Sequence, residues 1–203
     1  MINIHKIFCV SLKRRTDRRA EIKEFCNRVD IKFEFFDAID GKDICDQYDS
    51  KLKPAALGCL LSHKAILERA RDEGMPNVMI IEDDLEARDS FQEESKKYLS
   101  SIPDDWDMVY LGGQHKTLPI KIAENVHRVT RVYGTHCILY RNTCYDKLIS
   151  RIEQMKKPVD MYYADVIDEG LIAYCHVPYL TWQRKSYSDI VNKVVEYQAF
   201  KDL

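Results

Sequence analysis

Asn77-Val78-Met79-Ile80-Ile81-Glu82-Asp83-Asp84 runs an apolar stretch straight into three consecutive carboxylates, and the reading of this junction decides the fold class. Val78 to Ile81 contain no polar residue, the pattern of a short central strand buried on both faces of a parallel sheet. Such a strand exposes only its end. In open α/β sheets ligands bind outside the carboxyl ends of the strands, which places Glu82, Asp83 and Asp84 where chemistry is done. Neighbouring unpaired carboxylates repel by roughly 1–4 kcal/mol per pair at about 4 Å in wet to half-wet surroundings, and a bound divalent cation relieves this. The alternative is a solvated acidic turn ahead of a helix that starts near Phe91, with Asp89 as its cap.

Working outward, Ile7 to Leu12 reads as a first strand. It is followed by Lys13-Arg14-Arg15-Thr16-Asp17-Arg18-Arg19, which opens a helix to about Arg28. Strand end, basic turn and helix start make an anion site: backbone donors at a helix amino terminus favour phosphate, and Arg14 and Arg18 add charge-assisted hydrogen bonds. A solvated basic turn is the alternative. Lys32 to Phe36 is a second strand ending in Asp37-Ala38-Ile39-Asp40-Gly41, whose Asp-Gly turn sets Asp40 on the same rim. After Pro54, Ala55 to Arg71 reads as a helix apolar around much of its circumference, hence buried. Ser62, His63 and Lys64 interrupt that surface, as ligand contacts or, for His63, as a hydrogen-bonded core histidine.

Phe91 to Leu99 reads as a charged surface helix, and Met108 to Leu111 as a strand closed by Gly112-Gly113. Paired glycines there permit close approach of a ligand to the backbone, or make a plain turn. Val126 to Tyr133 and His136 to Tyr140 predict two strands, Asn142 to Gln154 an amphipathic helix, and Ile172 to Pro178 a last strand. The carboxyl-terminal stretch beyond it reads as irregular, and Lys116 to Glu124 is the candidate mobile loop. Strands alternating with helices, then further strands, predict an α/β domain with a mixed sheet.

Composition narrows the function classes. A chain of 203 residues, 45% hydrophobic and 32% charged, suits one soluble globular domain. A formal net charge of −2 leaves no basic excess for non-specific binding of nucleic acid, so nucleic acid is not the expected partner. No apolar stretch approaches the roughly 18 residues that span a bilayer, and the amino terminus has no signal-peptide pattern, so a cytoplasmic protein is expected. Lys201-Asp202-Leu203 lacks the Glu of a K-D-E-L retention signal. Cys9, Cys26, Cys45, Cys59, Cys137, Cys144 and Cys175 form no C-x-x-C pair and are expected to be reduced, mostly in the core.

Taken in order, the motifs resemble glycosyltransferase family 25, the group of lipooligosaccharide and procollagen β-galactosyltransferases. The resemblance rests on Val10-Ser11-Leu12-Lys13-Arg14-Arg15-Thr16-Asp17-Arg18, Phe36-Asp37-Ala38-Ile39-Asp40-Gly41 and Leu57-Gly58-Cys59-Leu60-Leu61-Ser62-His63. Ile80-Ile81-Glu82-Asp83-Asp84, the run from Trp106 to Gly113, Pro158-Val159-Asp160 and Ser188-Asp189-Ile190 follow in the family's order. It implies a GT-A-like single domain with a mixed, mostly parallel sheet flanked by helices. A nucleotide-sugar half of about residues 1–115 would precede an acceptor-side half of about 116–203.

The resemblance also implies a UDP-sugar donor, a divalent metal on a D-x-D-like motif and inversion at the anomeric carbon, with galactose or glucose passing to a glycan or protein acceptor. Asp84 is the expected direct ligand, Glu82 the other outer position, and Asp83 a contact to the donor ribose or sugar. Ser11, Leu12, Arg14, Arg18, Asp40, Ser62, His63, Lys64, Gly112 and Gly113 are carried as donor-binding residues. Oxygen ligands suit hard cations, with Mn²⁺ ahead of Mg²⁺. Inversion needs a carboxylate to take the acceptor proton, and Asp160, after Pro158 at a helix start, is the candidate; a plain helix cap is its alternative, and Asp165 is the reserve. His136, at a strand start, either completes the metal or diphosphate shell or is structural.

Two rivals remain. An apolar strand ending in Glu-Asp-Asp and a later Lys157-Pro158 also suit a phosphoacceptor receiver module, although Leu111 runs into Gly112-Gly113 where a receiver needs an aspartate. A catalytically silent nucleotide-sugar-binding domain would share the same residues.

Overall fold

A computed structural model of the chain describes residues 2–188, 190 and 193–195. The first half contains β1 (Lys6–Ser11), α1 (Thr16–Arg28), β2 (Glu34–Asp37), α2 (Gly41–Ile44), α3 (Pro54–Asp72), β3 (Asn77–Glu82), β4 (Leu85–Ala87) and α4 (Phe91–Ser101). Then follow β5 (Met108–Tyr110), β6 (Gln114–His115), β7 (Ile120–Ala123), β8 (Val126–Arg128), β9 (Val132–Tyr133) and β10 (Cys137–Arg141). The chain continues through α5 (Tyr145–Ile152), α6 (Val159–Asp168), β11 (Ala173–His176), β12 (Thr181–Gln183), β13 (Ser186–Ser188) and β14 (Lys193–Val195).

Eight strands form one sheet in the order β2-β1-β3-β10-β5-β11-β8-β7. β1 pairs in parallel with β2 and β3, and β5 with β11; β10 and β8 run against their neighbours. Six strands therefore share one direction. The apolar run is central, as its composition predicts, but its two neighbours differ: β1 is parallel to it and β10 antiparallel.

Strand alternation sorts the core into two layers. Phe8, Val10, Val78 and Ile80 face α3, α5 and α6, while Cys9, Met79 and Ile81 face α1 and α4. Val78, Ile80 and Ile81 are fully buried, each worth about 1.5–3 kcal/mol of transfer free energy. That two-sided burial is why the run carries no polar residue. All seven cysteines are free, and five of them are buried.

Four expectations are corrected. Residues 120–123, expected in a mobile loop, form the exposed edge strand β7 paired with β8. The stretch after β11, expected to be irregular, supplies β12, which pairs with β4, and the β13–β14 hairpin. The strand expected over 126–133 is two: β8 stays in the main sheet, while β9 leaves it to pair with β6. Nor is α4 wholly a surface helix, because Phe91, Ser95, Tyr98 and Leu99 are buried along one face. Asp189 and the terminal Lys201-Asp202-Leu203 lie outside the described residues.

Among the described residues, no helix is long and apolar enough to cross a membrane.

Candidate active site

The parallel strands β1 and β3 end side by side, so Ser11 and Leu12 meet Glu82, Asp83 and Asp84 at one sheet edge. From β1 the chain turns through Arg14 into α1, which carries Arg18; from β2 it turns through Asp40, which accepts the Lys42 N–H at 3.2 Å and caps α2. The first turns of α3 close on this rim because two glycines abut. A Cβ on Gly58 would lie 2.4 Å from the Ile39 carbonyl oxygen, and one on Gly41 would lie 1.7 Å from that of Pro54. Their absence lets Cys59 and His63 reach the cleft. The opposite wall comes from Gly134 and Thr135 before β10, Pro158 to Met161 at the start of α6, and Gln183 of β12. The cleft so enclosed measures about 460 Å³, the size of a small-ligand site.

Its acidic floor is not a solvated turn. Asp83 is 6% and Asp84 9% exposed, and β4, not a helix, follows them directly. The Ser11 hydroxyl and an Arg18 guanidinium nitrogen each donate to Asp83, both at 2.7 Å. Thr135 donates to Glu82 Oε1, and Gln183 Nε2 donates to Glu82 Oε2 at 3.2 Å. Burial works against ionisation of Glu82, but His63, Thr135 and His136 outweigh it and hold its carboxyl below the usual range.

Asp84 is left differently. Its Oδ1 is buried and has no hydrogen-bond partner among the described residues, and Arg18 stands 3.5 Å from its Oδ2. Burial pushes the Asp84 carboxyl up to about 7, Glu82 and Asp83 push the same way, and Arg18 and Gln183 only partly offset them. Asp84 lines the cleft and carries a buried oxygen without a donor, which fits a hard cation, and among the three acids Asp84 alone has such an oxygen.

Across the cleft, Asp160 Oδ2 accepts the Gly134 N–H at 3.2 Å. Burial raises its carboxyl above the ordinary value, with Glu82 adding to the rise and backbone donors opposing it. Fully buried His63 holds its Nδ1 3.2 Å from the Tyr163 hydroxyl.

Of the residues singled out by sequence, Ser11, Leu12, Arg14, Arg18, Asp40, His63, Glu82, Asp83, Asp84 and Asp160 line this cleft. Six stand elsewhere. Ser62 stitches α3 to the rim, donating to the Gly58 carbonyl at 2.6 Å and accepting the Ile39 N–H at 2.9 Å. Lys64 pairs with Glu68 at 2.6 Å, and Asp165 with Lys157 and Arg131. The space beside Gly112 is filled by the Thr181 carbonyl and the His136 ring, and that beside Gly113 by Val132, so protein packs where a ligand was expected. His136 is fully buried, with Nε2 3.4 Å from the Thr181 carbonyl oxygen.

Sequence reasoning missed Thr135, Gln183 and Tyr163. Thr135 and His136 stand just before β10, Thr135 in the cleft wall and His136 fully buried, and no strand period distinguishes the two in the sequence. Gln183 sits on a three-residue strand with no periodic signature.

Residues 4–163 match the family model described as Glycosyltransferase family 25 (LPS biosynthesis protein). The chain belongs to glycosyltransferase family 25. Procollagen galactosyltransferase 2 of Homo sapiens is 27% identical over 143 residues, which cover 60% of this chain and 23% of that protein. Inactive glycosyltransferase 25 family member 3 of Mus musculus is 28% identical over 127 residues, covering 53% of this chain and 22% of that protein. This family 25 chain thus spans under a quarter of the length of these relatives. A glycosyltransferase involved in the glycosylation of the major capsid of PBCV-1 superposes with a TM-score of 0.55 at 10% identity, over 90% of this chain and 93% of that one. That likeness shows the fold, a GT-A-like mixed α/β architecture.

Proposed function

We propose that the chain is an inverting, metal-dependent glycosyltransferase that moves a hexose, galactose or glucose, from a UDP-sugar to a hydroxyl of a glycan or protein acceptor. The observation that carries this reading is the partnerless Oδ1 of Asp84, a residue of the buried acidic floor that lines a cleft of ligand size at the carboxyl ends of two parallel strands. A hard divalent cation, Mn²⁺ ahead of Mg²⁺, held by Asp84 with Glu82 beside it, would supply charge neutralisation for the departing diphosphate. Arg14 at the rim adds positive charge toward the same diphosphate. Asp160, on the wall facing the acids, takes the acceptor hydroxyl's proton as the oxygen attacks the anomeric carbon from the side opposite the leaving group, which inverts the centre. Its raised pKa suits a base that must hold a proton once it has taken one.

A receiver module does not fit. Of the two strands beside the acidic one, β10 runs antiparallel to it, whereas receiver sheets are doubly wound and parallel, and the family match spans most of the chain. The silent-binder reading keeps one specific support: a relative of similar identity is named inactive. A panel of nucleotide sugars, with and without Mn²⁺, separates the readings. A transferase stabilises with one donor and slowly releases its UDP, while a silent domain binds and releases nothing.

A further inference from the structure

The same cleft holds a second donor set of different chemistry. Cys59 and His63 lie four residues apart on α3, on one face, and β3 sets Glu82 opposite them. One ligand atom from each lies within 4.8 Å of the other two, and all three side chains line the cleft. His63 is fully buried, and its Nε2 has no hydrogen-bond partner among the described residues. It faces Glu82 Oε1 at 3.8 Å, too far for a hydrogen bond. A buried ring nitrogen left unsatisfied is unfavourable, and a bound cation would relieve it. The tautomer whose Nδ1–H donates to the Tyr163 hydroxyl is the one that offers the Nε2 lone pair to a cation in the gap, the arrangement that orients a ligating imidazole.

We propose that Cys59, His63 and Glu82 form a binding site for a thiophilic divalent ion of the Zn²⁺ class. A sulfur, nitrogen and oxygen set is the wrong chemistry for Mn²⁺ or Mg²⁺ and the right one for zinc. Tetrahedral bonds of about 2.3 Å to sulfur and about 2.0–2.2 Å to nitrogen and oxygen set donor atoms roughly 3.3–3.7 Å apart, so the gap closes by small side-chain rotations. The fourth position opens on the cleft. On binding, the Cys59 S–H bond breaks, its electron pair goes to the metal and its proton to solvent. A reactive free thiolate is the wrong reading of Cys59, because burial and the carboxylates of Glu82, Asp160 and Asp84 disfavour that charge until a cation joins it. Zinc would also draw Glu82 away from Thr135 and Gln183, so its occupancy should inhibit a reaction that uses the acidic floor.

Co²⁺ titrated into the reduced chain tests this. One equivalent should develop a thiolate-to-cobalt charge-transfer band, which Zn²⁺ abolishes and excess Mn²⁺ does not. Cys59→Ser should lose the band, His63→Gln should weaken Zn²⁺ binding roughly tenfold or more, and Asp84→Asn should keep both. Circular dichroism checks each variant. Independently of any variant, alkylation of Cys59 in the zinc-free wild-type chain, run long enough for the buried thiol to react, should stop in saturating Zn²⁺, while that of Cys45, the other partly exposed thiol, continues. Absence of a band in the wild type, its survival in folded Cys59→Ser, or unprotected Cys59 in saturating Zn²⁺ would each overturn the site.

Discussion

Arg18 Nη1 lies 2.7 Å from Asp83 Oδ1 and 3.5 Å from Asp84 Oδ2, while its Nη2 donates to the Ser186 hydroxyl at 2.6 Å and the Tyr187 carbonyl at 2.9 Å. One guanidinium thus joins the acidic floor to the carboxyl-terminal hairpin. Sequence reading gives Arg18 to the donor diphosphate; in the structure it lines the cleft and also ties protein groups together.

Arg18→Ala should therefore cost stability as well as ligand affinity. Removing one partner of a nearly buried ion pair destabilises by about 3–5 kcal/mol. Urea denaturation of the cation-free protein should show this loss, and saturating Mn²⁺ should recover part of it by supplying the missing charge. An unchanged midpoint would mean that Arg18 compensates nothing.

Asp84 predicts a pH signature. Its folded-state value of about 7 exceeds the ordinary 3.8, so between these values the folded chain holds a proton that the unfolded chain has lost. Its stabilising contribution in the cation-free protein is complete on the acid side and is lost as pH rises through about 7, a change of a few kcal/mol. Cation affinity should run the other way, rising with pH across the window with one proton released per ion. The difference between wild type and Asp84→Asn in pH-dependent denaturation isolates this contribution, and parallel curves for the two would rule it out.

Asp160→Asn should cut transfer by about 10² or more while leaving donor affinity unchanged. Asparagine keeps the oxygen that accepts the Gly134 N–H and loses only the capacity to take a proton. Single-turnover transfer near the native rate would return Asp160 to the role of a structural acceptor.

Gly58→Ala should push α3 off the rim. The new Cβ meets backbone atoms of Ile39 and Gly41, which cannot yield by a rotamer change. Overpacking of this kind costs about 1–3 kcal/mol. Chemical denaturation gives the loss, and donor binding should weaken with it because Cys59 and His63 share that helix face.

What was legible followed from burial. The β3 run declares itself because both faces are covered, and the carboxylates at its end could lie nowhere but the strand terminus. The basic turn was equally plain, yet the sign of a charge does not name every partner: the ion pair between Arg18 and Asp83 leaves no mark in the sequence. Thr135 and Gln183 stayed hidden because each arrives on a piece of backbone too short for a period, and β12 finds its partner β4 inside what reads as an acidic turn. The edge strand β7 escaped because all four of its residues are exposed, so burial imposed no pattern on them.

The central claim is that Asp84 holds a cation on which donor binding depends. Calorimetric titration of a UDP-hexose into the wild-type protein, with Mn²⁺ and then with the metal chelated, tests it most directly when repeated on Asp84→Asn. The account predicts a saturable binding heat only in wild type with Mn²⁺, and none in either of the other two conditions. Equal donor affinity in Mn²⁺ and in chelator, or wild-type affinity in folded Asp84→Asn, would contradict it.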